Sequence, residues 1–164
     1  MLSSANPIAA LSFDAKNPSR ILEQIRNHGA SAVARELWDD QSTWNLIITN
    51  ISSGLPDWVD VSLALNAGAD AGASSMLHDA LFEALGKNPE YILKRAEGNF
   101  QISELCGGRH DPLASFDQAM SEHEAIITRV NEVKTDHLLT QKKECLRYLE
   151  KEKIGLLRFF GHAK

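Results

Sequence analysis

Trp44, Ile47, Ile48 and Ile51 stand at i, i+3, i+4 and i+7, the spacing of one face of an α-helix, and similar stripes return along most of the chain. The stripes are short, and start and stop residues separate them. Asn17 and Asn88 each precede a proline, which places a capping side chain before a first-turn residue that has no N–H to satisfy. Asp40 or Ser42 can cap the Trp44 segment, and Gly29, Gly54 and Gly107 fit helix ends. A chain punctuated in this way must bury one helix stripe against another. The expectation is an all-α, compact single-domain bundle or array of about seven helices, with residues 1–16 a loose lead-in and 17–164 the helical domain. A chain of 164 residues suits one domain, with roughly 70% of its unfolded surface buried.

One segment resists this reading. "WVDVSLAL", residues 58–65, alternates as a strand would, but Pro56 just before it and helices on either side favour a helix. In the last third, Phe116, Met120, Ile126, Ile127, Val130 and Val133 form one stripe. Leu138, Leu139, Cys145, Leu146, Leu149, Leu156, Leu157 and Phe160 form the next, with Thr135 or Asp136 as the cap between them.

The glycine-rich stretch "NAGADAGASSMLHDALFEALG", residues 66–86, has the look of a phosphate cradle. It lacks the lysine of a P-loop and the G-x-G-x-x-G of a dinucleotide loop, and it carries Asp70, which would repel phosphate. It also lacks the alternating oxygen ligands and closing Glu of a calcium loop. The structural reading is a left-handed Gly68 ending one helix, Asp70 capping the next, and small residues at 71–73 that allow close packing.

Cys106 and Cys145 are the two cysteines, and they allow one disulfide or two buried thiols. Cys106 and His110 have a C-x-x-x-H spacing, to which His123 or His137 could add, but there is no second close ligand pair, so no metal is expected. Cys145 lies on an apolar stripe, a poor setting for a nucleophile. His78 and Asp79 are helix neighbours whose side chains diverge, and no G-x-S-x-G elbow is present. His123 falls on the stripe of Ile126 and Val130, as a core histidine with satisfied nitrogens would. No catalytic residue and no cofactor are expected.

Net charge is −5, unevenly spread. Residues 36–86 contain no Lys or Arg and eight acids, while residues 142–164 carry seven Lys or Arg against three Glu. The glutamates interleave with the cations, as on a solvated helix face, so nucleic acid is not an expected partner. No apolar run is long enough for a membrane span, and "MLSSANPIAAL" lacks the form of an export signal.

"ELWDDQSTWNLIITNISSGLPDWVDVSLAL", "GADAGASSMLHDALFEALGKNPEYIL" and the pairing of "ELCG" with "KKECLRYL" together resemble a set of small uncharacterised bacterial helical proteins, often exported. The resemblance covers roughly residues 35–150. It implies a helical domain, a periplasmic setting and a Cys106–Cys145 bridge, and no activity. The expected function is non-enzymatic protein binding by an immunity-type or inhibitor protein. Asp39, Asp40, Asp57, Asp60, Asp79 and Glu83 would engage a basic partner such as a toxin or hydrolase. The alternative is a small hydrolase or a metal- or ligand-binding domain built around Cys106, His110, His123 and Cys145. A third reading is a subunit that self-associates through exposed apolar helix faces.

Overall fold

The computed structural model describes residues 13–96, 101–107 and 114–161. Among the described residues there are nine α-helices, one 3₁₀ turn and no strand. They are α1 (Pro18–His28), α2 (Ala30–Asp39), α3 (Gln41–Ser52), α4 (Pro56–Asn66), α5 (Ala71–Lys87), α6 (Pro89–Ala96), α7 (Ile102–Cys106), α8 (Phe116–Asn131) and α9 (Leu139–Phe159). The 3₁₀ turn, Asp136–Leu138, leads into α9. The count exceeds the expected seven, the single turn of α7 being a helix of its own, while the break after Asn131 falls between the two stripes of the last third. The strand-like segment is α4.

The caps explain the boundaries. Asn17, Asp40, Asp70, Asn88 and Ser115 each accept a backbone N–H three residues on, satisfying a donor that the first turn leaves without a partner. Asn88 does more: its amide nitrogen donates to the Gly54 carbonyl at 3.0 Å, which ties the α3–α4 turn to the α5–α6 junction. Gly54, at φ +74°, closes against Lys87 and Ala84. Thr135 makes no cap bond; its hydroxyl donates to Glu90 at 2.5 Å. Lys142 Nζ reaches back to the Asn131 and Val133 carbonyls at 2.6 and 2.8 Å, placing a cation where α8 ends.

Gly68 does not have the expected left-handed conformation; among the described residues the positive-φ glycines are Gly29, Gly54 and Gly161. Space is what requires a glycine there. A Cβ at Gly68 would lie 2.1 Å from the Ser31 backbone nitrogen, so the α4–α5 link runs against the start of α2. The Ser31 hydroxyl donates to the Gly68 carbonyl across that approach.

The core is organised around α5, which packs against α3, α4, α6, α7 and α8. It buries Ala73, Leu77, Ala80, Leu81, Phe82, Ala84 and Leu85, more than one face of a helix. The glycine-rich stretch therefore feeds the central helix of the fold. α9 is the opposite case: of its 21 residues only Cys145 and Leu149 are buried, and Leu139, expected on the apolar stripe, is half exposed. Phe13 and Ala15, at the end of the lead-in, are partly buried against the core, and Asn50 donates to the Ala15 carbonyl.

Candidate functional site

The six acids expected to meet a partner stand in four different situations. Asp39 ends α2, Asp57 lies in the first turn of α4, and Glu83 is on α5; all three are exposed. Among the described residues none of the three makes an ion pair. Asp40 is exposed but structural. It takes the Thr43 hydroxyl at 2.6 Å and the Thr43 N–H at 3.2 Å, and those bonds hold its carboxyl below the usual range. Asp79 is half-buried and lines a cleft of about 260 Å³ between α5 and α7 with Ser74, Ser75, His78 and Glu104.

Asp60 is bound to a cation. It accepts from Arg95 Nε at 2.8 Å and from Arg95 Nη2, and from the Tyr91 hydroxyl at 2.9 Å. The Arg95 guanidinium also lies over the Tyr91 ring. Burial first, and the Asp60 carboxylate second, push the Tyr91 phenol up; the Asp60 bond raises Arg95. Counting charges between residues 36 and 86 missed this, because Arg95 arrives from α6, just beyond the window. The i, i+4 spacing of Tyr91 and Arg95 was the available signal; which helix they would face was not.

Sequence reasoning also missed the outer face of α3. Residues 41–56 contain no charged side chain. Ser42, Asn45, Leu46 and Thr49 share the exposed side of α3, and Leu46 is 53% exposed among polar neighbours. Leu55, 58% exposed, follows in the turn to α4. Acids precede this neutral stretch (Asp39, Asp40) and follow it (Asp57). Exposed leucines in a stretch without charge have the character of the centre of a protein-binding surface, where charge is depleted; Lys87 of α5 lies against the Gly54 turn at the end of that stretch.

Among the described residues the cysteine and histidine candidates are not assembled into a site. Cys106 and Cys145 are bonded to each other, with S–S 2.05 Å and Cα–Cα 5.3 Å, and both are fully buried. This is the bridge the resemblance implied, and it joins α7 to α9. His123 is fully buried, its Nε2–H donating to the Leu149 carbonyl at 2.6 Å and its ring beside Phe82. Burial is the largest influence on His123 and lowers its pKa. His110 lies outside the described residues. His78 is bound to Asn66 at 3.3 Å, and Asn66 also accepts from Ser74 at 2.7 Å, a small network that locks α4 to α5. Among the described residues no group of three His, Cys, Asp or Glu side chains is placed to hold a metal ion, and no helix is long and apolar enough to cross a membrane.

No protein-family model, curated protein or solved structure matches this chain.

Proposed function

We propose that this chain is a non-enzymatic protein-binding domain that engages a basic protein through the uncharged outer face of α3 and the acids that precede and follow it in the chain, as an immunity-type or inhibitor protein would. The carrying observation is the neutral surface with exposed Leu46 and Leu55, preceded by Asp39 and followed by Asp57, in a stretch of 51 residues without a cation. Burying the leucines against a partner would supply the affinity, and the acids would speed encounter and select partners of positive charge. Part of the acidity is internal: Asp60 belongs to Arg95 and Asp40 to the α3 cap, so the face is narrower than the charge count suggests. The fully buried disulfide favours an oxidising compartment, in keeping with a periplasmic setting. The alternative built on Cys106 and Cys145 requires free thiolates, and the bridge leaves none at those positions.

The test is capture from the source organism's lysate at low and at high salt, with wild type and with a D39N/D57N/E83Q variant. A partner of basic isoelectric point, lost at high salt and lost with the variant, is the expected result. Capture indifferent to both salt and variant would overturn the reading.

A further inference from the structure

α2 carries Ser31, Ala34, Arg35 and Trp38 at i, i+3, i+4 and i+7, along one side of the helix. These four residues form one wall of a cleft of about 270 Å³, and Gly68, Asp70 and Ala73 form the other. The cleft opens because α2 packs on α1, α3 and α4, whereas α5 packs on α3, α4, α6, α7 and α8. Its floor is small and apolar: Ala34 and Ala73 are both buried. Its rim is charged, with Arg35 on the α2 side and Asp70 on the α5 side, both exposed.

The two charges line one cleft without meeting. Among the described residues Arg35 makes no ion pair. Asp70 Oδ1 accepts the Ala73 N–H at 2.9 Å, which closes the start of α5 and leaves Oδ2 open to a ligand. The Trp38 ring and Asp70 Oδ1 come within 3.4 and 3.6 Å of the point where a side chain on Gly72 would begin, so indole and carboxylate are neighbours. Trp38 is braced edge-on by Trp44 at 5.5 Å, and the Trp44 Nε1–H is in turn bonded to Met76 Sδ at 3.4 Å.

We infer that this cleft binds the zwitterion of an apolar α-amino acid. An anion alone would meet Asp70 and a cation alone would meet Arg35; a molecule carrying both charges matches both walls. Its carboxylate pairs with the Arg35 guanidinium, whose planar fork suits two oxygens. Its ammonium takes Asp70 Oδ2 beside the Trp38 ring, an aromatic neighbour that favours a cation. Its side chain lies against the methyl groups of Ala34 and Ala73. The volume is below that of drug-sized pockets, which limits the ligand to a small molecule. The Ser31 hydroxyl is held by the Gly68 carbonyl and takes no part. No residue of α3 lines the cleft, so the inference is independent of the protein-binding reading.

Calorimetric titration of the purified chain with L-valine, L-leucine and L-phenylalanine tests this, followed by the N-acetyl and amide derivatives of whichever binds tightest. The acetyl compound lacks the ammonium and the amide lacks the carboxylate, so each should bind more weakly by about tenfold or more. Arg35→Gln and Asp70→Asn should weaken binding of the parent amino acid by a similar factor. Neither threatens the fold, since Arg35 is exposed and asparagine caps a helix as well as aspartate does; thermal melts of the two variants verify this. In proton–nitrogen spectra the Trp38 indole N–H signal should shift on titration, and those of the buried Trp44 and Trp58 far less. Absence of binding by all three amino acids overturns the inference, as does binding untouched by either variant. A derivative that binds as tightly as its parent overturns it too, because one charged wall of the cleft would then go unused.

Discussion

α5 and α9 are the two longest helices, and they are held in place by different physics. α5 buries seven of its 17 residues and touches helices on several sides. α9 buries two of 21, and one of those two is half of a disulfide. Where packing is dense the chain needs no covalent link. Where one face looks outward, the Cys106–Cys145 bridge, the Lys142 contacts with the end of α8 and the His123–Leu149 bond do the holding. The charge pattern follows the same division: α3, beside α5, has an uncharged outer face, and on α9 cations outnumber glutamates.

The bridge offers the largest test of this division. It closes a sequence separation of 39, for which the chain-entropy model gives about 4 kcal/mol. A C106A/C145A variant should lose stability of that order in urea unfolding, and hydrogen exchange should rise first in α7 and α9. Equal acceleration in α5 would show that the two helices are not separately held.

Leu81→Ala cuts into the other region. Leu81 is fully buried in α5, and a cavity there should cost about 3 kcal/mol. Its signature differs from that of the bridge: protection should fall throughout the α3–α4–α5 core, with the disulfide intact.

His123 sits where the regions meet, on α8, against Phe82 of α5 and Leu149 of α9. Glu150, Glu152 and Lys153 add opposing charge effects, yet burial is the largest influence and lowers its pKa. Unfolded, the imidazole gains a proton as pH falls below about 6.5; folded, it does so only at lower pH. Stability should therefore be full above about pH 6.5 and decline as pH drops toward the folded-state value. A His123→Gln variant should flatten that part of the curve in thermal melts at matched ionic strength. An unchanged slope would assign the acid sensitivity to carboxylates instead.

The amount legible in the sequence differed between these regions for the same reason. Caps are local, so Asn17, Asp40, Asp70 and Asn88 announced their helices within three residues of chain. The central place of α5 was not legible, because a helix buried on several sides shows no clean amphipathic stripe. Gly68 was read as a left-handed stop because its requirement, room for the backbone of α2, comes from 37 residues away. The acidic surface was half legible: the missing cations could be counted, whereas the arrival of Arg95 at Asp60 needed the packing of α6. The outer face of α3 escaped notice because uncharged polar residues carry no signal of their own.

The smallest expected effect tests whether that face is spare. Leu46→Ser removes an exposed side chain whose loss opens no cavity, so its stability cost should stay within about 0.5 kcal/mol. The adjacent Ile47→Ser, one residue on, enters the fully buried side of the same helix and should cost several times more. Paired urea titrations of the two variants measure the contrast directly. If Leu46→Ser were as costly as the core change, Leu46 would be a structural residue of the free protein, and the idea that α3 keeps an apolar contact in reserve for a partner would lose its footing. If it is nearly silent in folding yet weakens association, the same helix is doing two jobs on opposite faces, and the exposed leucine is there for binding.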